Sequence, residues 1–321
     1  MSSSFANLPD SDLIRRSLSR SPSSPRTLFN SFMNGVAFLC GVLSLLPLLA
    51  VLSYVLIRGI DALSWSVFTE LPPPPLVEGG GFRNAIFGTL LMVGIGALIT
   101  VPFGVLAAIY LVEFSSGQLC RWVRFATSVL SGIPSIIIGV FTYGLLVYKG
   151  VVGYSPIAGG VALAVLMLPI IVRTTDEALQ LVPDELRQAS VGLGATNFQT
   201  VTKVVLPAAL PAIITGITLS IARAAGETAP LIFTALFSQF PFNGLFQPIA
   251  SLAVLVFNFA IVPYPNQQSL AWGASLILVL MVLITSIIAR WVTSRKWAPR
   301  KIEQVAREIR LYFERLRIGL F

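Results

Sequence analysis

The sequence is poor in the residues on which most catalytic and metal sites depend. It contains no histidine and only two cysteines, Cys40 and Cys120. This excludes histidine-based metal sites and general bases, and it leaves no CxxC pair. The dipeptide Gly-Lys does not occur, so the chain lacks the G-x-x-x-x-G-K-[ST] phosphate cradle of a P-loop ATPase. We therefore expect a chain that is not itself an enzyme and that carries no cofactor or metal.

Charge is also scarce, and apolar residues are abundant. Only 11% of the residues are charged and 55% are hydrophobic, with a mean hydropathy of +0.83. This composition indicates an all-α integral membrane protein, because helices satisfy their backbone groups within lipid. Six segments are predicted to span about 30 Å of hydrocarbon: 32–57, 85–112, 125–148, one that ends near 172, 210–237 and 270–289. An apolar segment at 249–262 is too short to span and fits a re-entrant or interfacial position.

The distribution of basic residues predicts the orientation. Eighteen Lys and Arg residues lie on one side of the predicted spans, against Arg58, Arg83 and Lys149 on the other. The positive-inside rule therefore places both termini in the cytoplasm. Three regions follow: a disordered arm at 1–27, a membrane domain at 28–300 with a long polar loop at 174–209, and a basic amphipathic tail helix at 301–321.

The polar loop contains the longest polar interval between two apolar segments, residues 182–211. It is rich in small residues, which allow close backbone contact. We expect a short helix with Pro183 in the first helical position and two acids, Asp184 and Glu185, in the first turn. A turn at Leu206-Pro207 then leads back into the membrane. An ordinary inter-helix loop is the alternative.

A charged pair lies inside the fifth predicted span. Arg223 and Glu227 are four residues apart, so on one face of a helix. A charge at that depth is costly and is expected to face the bundle or a water-filled path. Arg223 offers a fork of donors that suits phosphate, with Glu227 as its counter-ion. A purely structural ion pair is an equal alternative. In the third span, Pro134 marks either a broken helix with free N–H groups or a packing kink.

The polar loop resembles the signature of permease subunits of bacterial ATP-binding-cassette importers, which is Glu-Ala-Ala, three residues, Gly, nine residues, Ile, one residue, Leu-Pro. The spacing matches throughout, with Gln, Ser and Val replacing Glu, the second Ala and Ile. The resemblance implies a type I (MetI-like) permease fold in which this segment forms a coupling helix that binds an ATPase. The residues so implied in coupling are Gln188, Ala189, Ser190, Gly194, Ala195, Leu206 and Pro207. Because Gln188 replaces the acid, binding there is expected to depend on shape more than on charge.

Three further stretches are similar to the permeases of phosphate-specific transport systems: 132–135 with Gly139, 193–196, and 223–231. This likeness covers roughly 85–289 and implies a path for inorganic phosphate that includes Arg223, Glu227, Arg173, Thr228, Pro134 and Ser135. On its own, Arg173 is typical of an arginine that anchors a helix end at the membrane surface.

The same resemblance implies the assembly. The partners would be a homologous permease subunit, two ATP-binding subunits that hold ATP and Mg²⁺, a phosphate-binding protein outside the membrane, and lipid, but no nucleic acid. Three other functions stay open: a permease for another oxyanion such as molybdate or sulfate, an ion-coupled secondary transporter, and a non-transporting membrane scaffold.

Overall fold

The computed structural model describes residues 25–115 and 117–296, and every regular element within them is helical. The helices, in chain order, are α1 (Pro25–Asp61), α2 (Ser66–Thr69), α3 (Arg83–Ile109), α4 (Gln118–Gly132), α5 (Ser135–Thr142), α6 (Pro156–Gln180), α7 (Asp184–Gly192), α8 (Asn197–Thr200), α9 (Leu206–Ala225), α10 (Ala229–Thr234), α11 (Leu252–Ala260) and α12 (Pro265–Lys296). Three π-helical turns extend α3, α5 and α8, at Tyr110–Phe114, Tyr143–Tyr148 and Val201–Val205.

The predicted membrane architecture is confirmed. Among the described residues, 5 helices are long and apolar enough to cross a membrane, or up to 6 if the bent pair α4–α5 is one span. That pair corresponds to the predicted third span, and its two halves differ in direction by 101°. The bend falls at Ile133-Pro134, where the ring of Pro134 removes a donor and α5 begins anew at Ser135. Of the two alternatives left open at Pro134, the structure therefore shows the broken helix and not a packing kink.

The chain divides into two compact units, one ending at Ile57 and the other beginning at Arg58. In the first, the described residues form most of α1, which is long and apolar and exposes its side chains almost throughout. The predicted arm at 1–27 overlaps this helix, because α1 already begins at Pro25. A proline is well tolerated in a first helical turn, where its missing N–H costs nothing. Residues 1–24 of that arm and the predicted tail helix at 301–321 lie outside the described residues.

Helices α3 and α6 form the centre of the second unit. Their backbones approach closely at glycines. A methyl group on Gly160 would meet Ile95 Cγ2 at 2.5 Å, and one on Gly104 would meet Ile171 Cγ2 at 2.8 Å. Glycine permits such contact because it has no side chain to separate the helices. Helix α6 is the most enclosed span, with 61% of its apolar window buried, and α3, α4 and α9 pack against it.

Two boundaries in the fifth span differ from the prediction. No turn occurs at Leu206-Pro207, because a single helix continues from Asn197 to Ala225 through the π-helical turn at Val201–Val205. The wider π-helical turn directly before Pro207 accommodates a residue that cannot donate a backbone hydrogen bond. At the other end, the predicted continuous span 210–237 is wrong. The helix stops at Ala225, with Gly226 as its C-cap, and the short α10 follows.

The segment at 249–262 contains α11, a helix of only 9 residues, and it is not among the helices long enough to span. Ser251 caps its N-terminus by accepting a hydrogen bond from the Val254 N–H. The buried Thr89 of α3 also accepts the Leu252 N–H at 2.8 Å. These contacts anchor α11 on α3, so the expectation that this segment is too short to span is confirmed.

Candidate functional site

Helix α7 lies in the polar loop at the position predicted for a short helix. It begins at Asp184, one residue later than expected, because Pro183 adopts an extended conformation and serves as the N-cap residue. Asp184 and Glu185 do occupy the first turn, where negative charge is favoured by the helix dipole. The predicted helix is therefore confirmed, with a shift of one residue at its start.

The turn after α7 explains why the signature requires glycine. Gly194 has φ +86°, a conformation that disfavours any residue with a Cβ atom. Its N–H donates to the Val191 carbonyl at 2.9 Å, and the Ala195 N–H donates to the Ser190 carbonyl at 3.2 Å. This pair of bonds is the Schellman motif, which satisfies the last carbonyls of a helix. A methyl group on Gly194 would meet nothing within 4 Å, so backbone conformation and not space selects glycine here.

The chain then enters α8 through a capping box. Thr196 accepts the Gln199 N–H at 3.3 Å, and the Gln199 side chain accepts the Thr196 N–H at 3.0 Å. These reciprocal bonds satisfy two donors that a helix start leaves open. Thr196 and Gly194 together fix the angle between α7 and the helix that runs on to Ala225.

Several large apolar side chains are exposed in this region, although its sequence is polar overall. Leu186, Val191, Leu193 and Phe198 are all exposed, with Leu193 87% exposed. A cluster of large apolar side chains of this kind indicates a contact surface for another protein. Gln188 and Ala189 are exposed in the same helix. We call the exposed side chains of residues 186–198 the α7 surface.

Two side chains of α7 face the membrane domain instead of the α7 surface. Arg187 binds the Glu113 carboxylate, in the π-helical turn after α3, at 3.0 Å. Ser190 shares a hydrogen bond of 2.9 Å with the buried Thr200 at the end of α8. Leu206 and Pro207 lie within the continuous helix and are partly buried. The residues of the signature thus divide into exposed positions and positions that hold the helix in place.

Arg223 and Glu227 do form an ion pair, at 3.5 Å between Nε and Oε1. The arginine side chain is 59% exposed and the glutamate 16%. Arg223 lies in the last turn of α9, where the helix dipole favours a cation, and Glu227 lies just beyond the helix end. The predicted shared helix face is therefore wrong, although the two side chains still meet. Most of the guanidinium donors remain available to an anion.

The break before α5 is joined to the segment that follows this pair. Pro134 is exposed, and Ser135 opens α5. Further along α5, a methyl group on Gly139 would lie 2.6 Å from the Pro230 Cα. Thr228 is the N-cap residue of α10, and its side chain makes no capping bond. The close approach at Gly139 brings α5 and α10 together, and with them the neighbourhoods of Ser135 and Thr228.

Arg173 lies at a different height along the helix bundle from the Arg223–Glu227 pair. It donates from Nε to Glu177 at 2.9 Å, and both side chains are more than half exposed. The adjacent Thr174 packs so closely on Gly216 that a Cβ atom on this glycine would clash with the threonine hydroxyl. Gly216 precedes Arg223 by seven residues of helix, about 10 Å of rise. Arg173 is thus not brought to the Arg223–Glu227 pair.

Some candidate functional residues of this region were not predicted from the sequence. Arg187 entered only as a positive charge, because its partner Glu113 is 74 residues away in the chain. The apolar members of the α7 surface also passed unnoticed. Large apolar residues within an otherwise polar loop were the available signal, and it applies to Leu193 and Phe198 above all.

Comparison with known proteins places this geometry in a family. Residues 100–298 match the family described as binding-protein-dependent transport system inner membrane component. The chain is 43% identical over 240 residues to the phosphate transport system permease protein PstA of Yersinia pestis. The aligned residues make up 74% of this chain and 81% of the relative. It is 41% identical over 266 residues to the protein of the same name from Haemophilus influenzae, covering 83% and 94%.

Solved structures support the fold. A chain of a bacterial alginate ABC transporter aligns with a TM-score of 0.58 at 14% identity, covering 86% of this chain and 98% of its own length. A chain of the MetNI methionine ABC transporter aligns with a TM-score of 0.55 at 23% identity, covering 66% and 94%. At these identities the likeness is one of fold. The chain therefore belongs to the family of inner membrane components of binding-protein-dependent transport systems.

Proposed function

We propose that this chain is a permease subunit of an ATP-driven importer and that it carries inorganic phosphate across the inner membrane by alternating access. The observation that carries the proposal is Arg223, an exposed arginine at the end of an apolar span with only a long contact to its counter-ion. The names of relatives that are 36–43% identical favour phosphate as the anion.

Arg223 has the chemistry of a transient anion site. A guanidinium presents several donors in a plane, which suits a phosphate oxygen pair. Glu227 neutralises it between transport cycles and competes with the arriving phosphate, so the anion is held briefly and then released. The open helix start at Ser135 and the unengaged Thr228 lie on elements that meet near this pair, and we assign them to the same path. We assign Arg173 to the same path, at a point about 10 Å further along the helix bundle.

The partners follow from the position of the α7 surface. We assign it to the cytoplasmic side, with both chain termini, where two PstB-like subunits would bind ATP and Mg²⁺. Gln188 carries no charge, so the exposed apolar side chains of this surface supply most of the contact. A PstC-like permease would complete the heterodimer, and a PstS-like protein would deliver phosphate on the outer side. Residues Gln188, Ala189 and Ala195 lie in the contact region, while Gly194, Leu206 and Pro207 shape the chain around it.

Reconstitution of the complete complex in lipid vesicles tests the proposal. ATP is supplied on the side of the ATPase subunits, binding protein on the other, and uptake of radiolabelled phosphate is followed. We expect uptake that stops without ATP and persists when ion gradients are collapsed. Uptake that follows the gradients instead would establish a secondary transporter. ATP-dependent uptake of a membrane-impermeant anion is also incompatible with a scaffold.

Another oxyanion is the second candidate, since the Arg223–Glu227 pair also suits sulfate or molybdate. Competition distinguishes the two within the same vesicles. We expect unlabelled phosphate to abolish uptake of radiolabelled phosphate. An equal concentration of sulfate or molybdate should leave that uptake within about twofold of its value without competitor. Preferential uptake of sulfate or molybdate would replace phosphate as the substrate without changing the assignment as a permease.

A further inference from the structure

The side chain of Arg187 connects three elements at one end of the membrane domain. Its Nη2 donates to the Glu113 carboxylate at 3.0 Å and to the Leu179 carbonyl at 2.8 Å. Its Nη1 donates to the Val182 carbonyl and to Asp184 at 3.0 Å. One guanidinium thus links α7, which carries it, to the end of α3 and to the end of α6.

The burial of this ion pair distinguishes it from the other charges of α7. Glu113 is 9% exposed and Arg187 20%, whereas Asp184 is 83% exposed. A charged pair that is shielded from water interacts strongly, and loss of either partner leaves the other charge buried without compensation. The bond to Asp184, by contrast, is open to solvent and contributes little.

The two carbonyls bound by Arg187 are also special. Leu179 lies in the last turn of α6 and Val182 lies just after it. Carbonyls at a helix C-terminus lack partners within the helix, and the helix dipole there favours a cation. Arg187 therefore caps α6 as well as binding Glu113. The Leu179 carbonyl also accepts the Val182 N–H at 3.3 Å, so movement of α7 away from α6 would break the bonds of Arg187 without leaving that carbonyl unpaired.

A second hydrogen bond attaches the C-terminal half of α7 to the helix that follows it. Ser190 bonds to Thr200 at 2.9 Å, at the start of the helix that continues to Ala225. This contact joins two neutral hydroxyls, which makes it weaker than a charge-assisted bond. Arg187 is consequently the principal attachment of α7 to the spans α3 and α6.

We infer that Arg187 is a positioning residue that fixes α7 to α3 and α6, so that movement of the ATPase subunits bound to α7 is passed to the membrane domain. The inference rests on the proposed docking of ATPase subunits at the α7 surface. It assigns Arg187 and Glu113 a role in the efficiency of coupling and not in anion recognition. It holds for any anion that the importer carries.

The experiment measures anion uptake and ATP hydrolysis in the same vesicles, with the complete complex. The variants are Arg187→Gln, Glu113→Gln and the double variant Glu113→Gln/Arg187→Gln. The control is Arg121→Gln, which removes one positive charge from an exposed position in α4 on the same side of the domain. Phosphate uptake and the ATP consumed give a ratio that depends on coupling, and co-purification reports whether ATPase subunits are still bound.

We expect the ratio of phosphate transported to ATP hydrolysed to fall about tenfold in Arg187→Gln and in the double variant, and to change less than twofold in Arg121→Gln. The double variant contains no unpaired buried charge, so it keeps the measurement possible if a single variant fails to fold. A ratio equal to that of the unmodified complex in the double variant would overturn the inference. So would a proportional loss of uptake and hydrolysis, because a purely structural residue produces that result.

Failure of the proposed phosphate function gives a different result. If the unmodified complex hydrolyses ATP in response to sulfate or molybdate, the ratio is measured with that anion and the inference on Arg187 is tested unchanged. If the ATPase subunits do not bind the unmodified chain at all, the docking proposal is wrong and the inference falls with it. Binding that is intact in the unmodified complex but lost in Arg187→Gln would make Arg187 a docking residue, which also overturns the inference.

Discussion

Gly139 of α5 lies directly against Pro230 of α10, so closely that a Cβ atom on the glycine would come within 2.6 Å of the proline Cα. The neighbouring atom is backbone, so it cannot move aside as a flexible side chain would. This contact fixes the second half of the broken third span to the segment that follows Arg223 and Glu227.

Gly139→Ala is therefore expected to separate α5 from α10. Overpacking of this kind costs about 1–3 kcal/mol, and the displaced α10 should also lower phosphate uptake. Thermal unfolding of the purified complex and vesicle uptake measure the two effects. Gly132→Ala is the matched control, because a methyl group there meets nothing within 4 Å. Equal behaviour of the two variants would contradict the assignment of this contact.

Gly194→Ala should weaken binding of the ATPase subunits. Alanine at φ +86° costs about 1–2 kcal/mol, so the turn after α7 shifts and the α7 surface is displaced. We expect ATPase co-purification to fall by roughly fivefold or more. Gly192→Ala provides the comparison, since Gly192 lies in α7 itself and has free space around it. Alanine favours that helix, and a loss in Gly192→Ala as large as in Gly194→Ala would show that conformation is not the reason for the glycine.

Substitutions at the Arg223–Glu227 pair distinguish a transport path from a structural ion pair. If Arg223 contacts phosphate, uptake should decrease in the order unmodified, Arg223→Lys, Arg223→Gln, because lysine keeps the charge but loses the fork. A fall of about tenfold or more is expected for Arg223→Gln at normal protein levels, the size of a lost charge-assisted hydrogen bond.

Glu227→Gln supplies the internal comparison for this series. A structural pair predicts that Glu227→Gln and Arg223→Gln reduce uptake and thermal stability alike. A transport path predicts that Glu227→Gln retains more uptake than Arg223→Gln, because the donor for phosphate is still present. Uptake that persists in Arg223→Gln would remove this arginine from the path.

Two adjacent acids of α6 provide a prediction on stability. Asp176, 13% exposed, accepts two bonds from Arg124 of α4 at 2.8 and 3.1 Å. Asp176→Asn is expected to lower the free energy of unfolding by about 1 kcal/mol, a value limited because Arg124 is partly open to solvent. Glu177→Gln, which breaks an exposed pair with Arg173, should cost less than about 0.5 kcal/mol. Thermal unfolding in detergent measures both, and the reverse ranking would contradict the argument from burial.

The sequence was sufficient where the determining signal is local. Pro134 removes a hydrogen bond wherever it stands in a helix, so the sequence located the distortion of the third span, although it did not distinguish a break from a kink. The two acids of the first turn likewise located α7 within one residue. Apolar length predicted the number of spans, since the thickness of the membrane sets how many residues a helix needs, but it gave the wrong end for the fifth.

Other features depend on contacts that no local pattern reveals. The break between α9 and α10 is not one of them, because Gly226 and Pro230 both disfavour a continuous helix there, and this local signal was not used when the span was drawn through to 237. Pro207 was interpreted as a turn because proline usually interrupts a helix, yet the π-helical turn before it lets the helix continue. The role of Arg187 depends on Glu113, which is close in space and distant in sequence. The role of Arg187 could therefore be inferred only once the fold showed that Glu113 is its partner.

The unbroken helix from Asn197 to Ala225 has a mechanical consequence. It contains 29 residues, so it is about 43 Å long. Its first turn lies beside α7 and its last turn carries Arg223. A rigid rod of this length acts as a lever, and a tilt of about 5° moves its far end by about 4 Å. A hydrogen bond is lost within about 1 Å of its ordinary length, so a small rotation at the α7 end is sufficient to open or close a contact at Arg223.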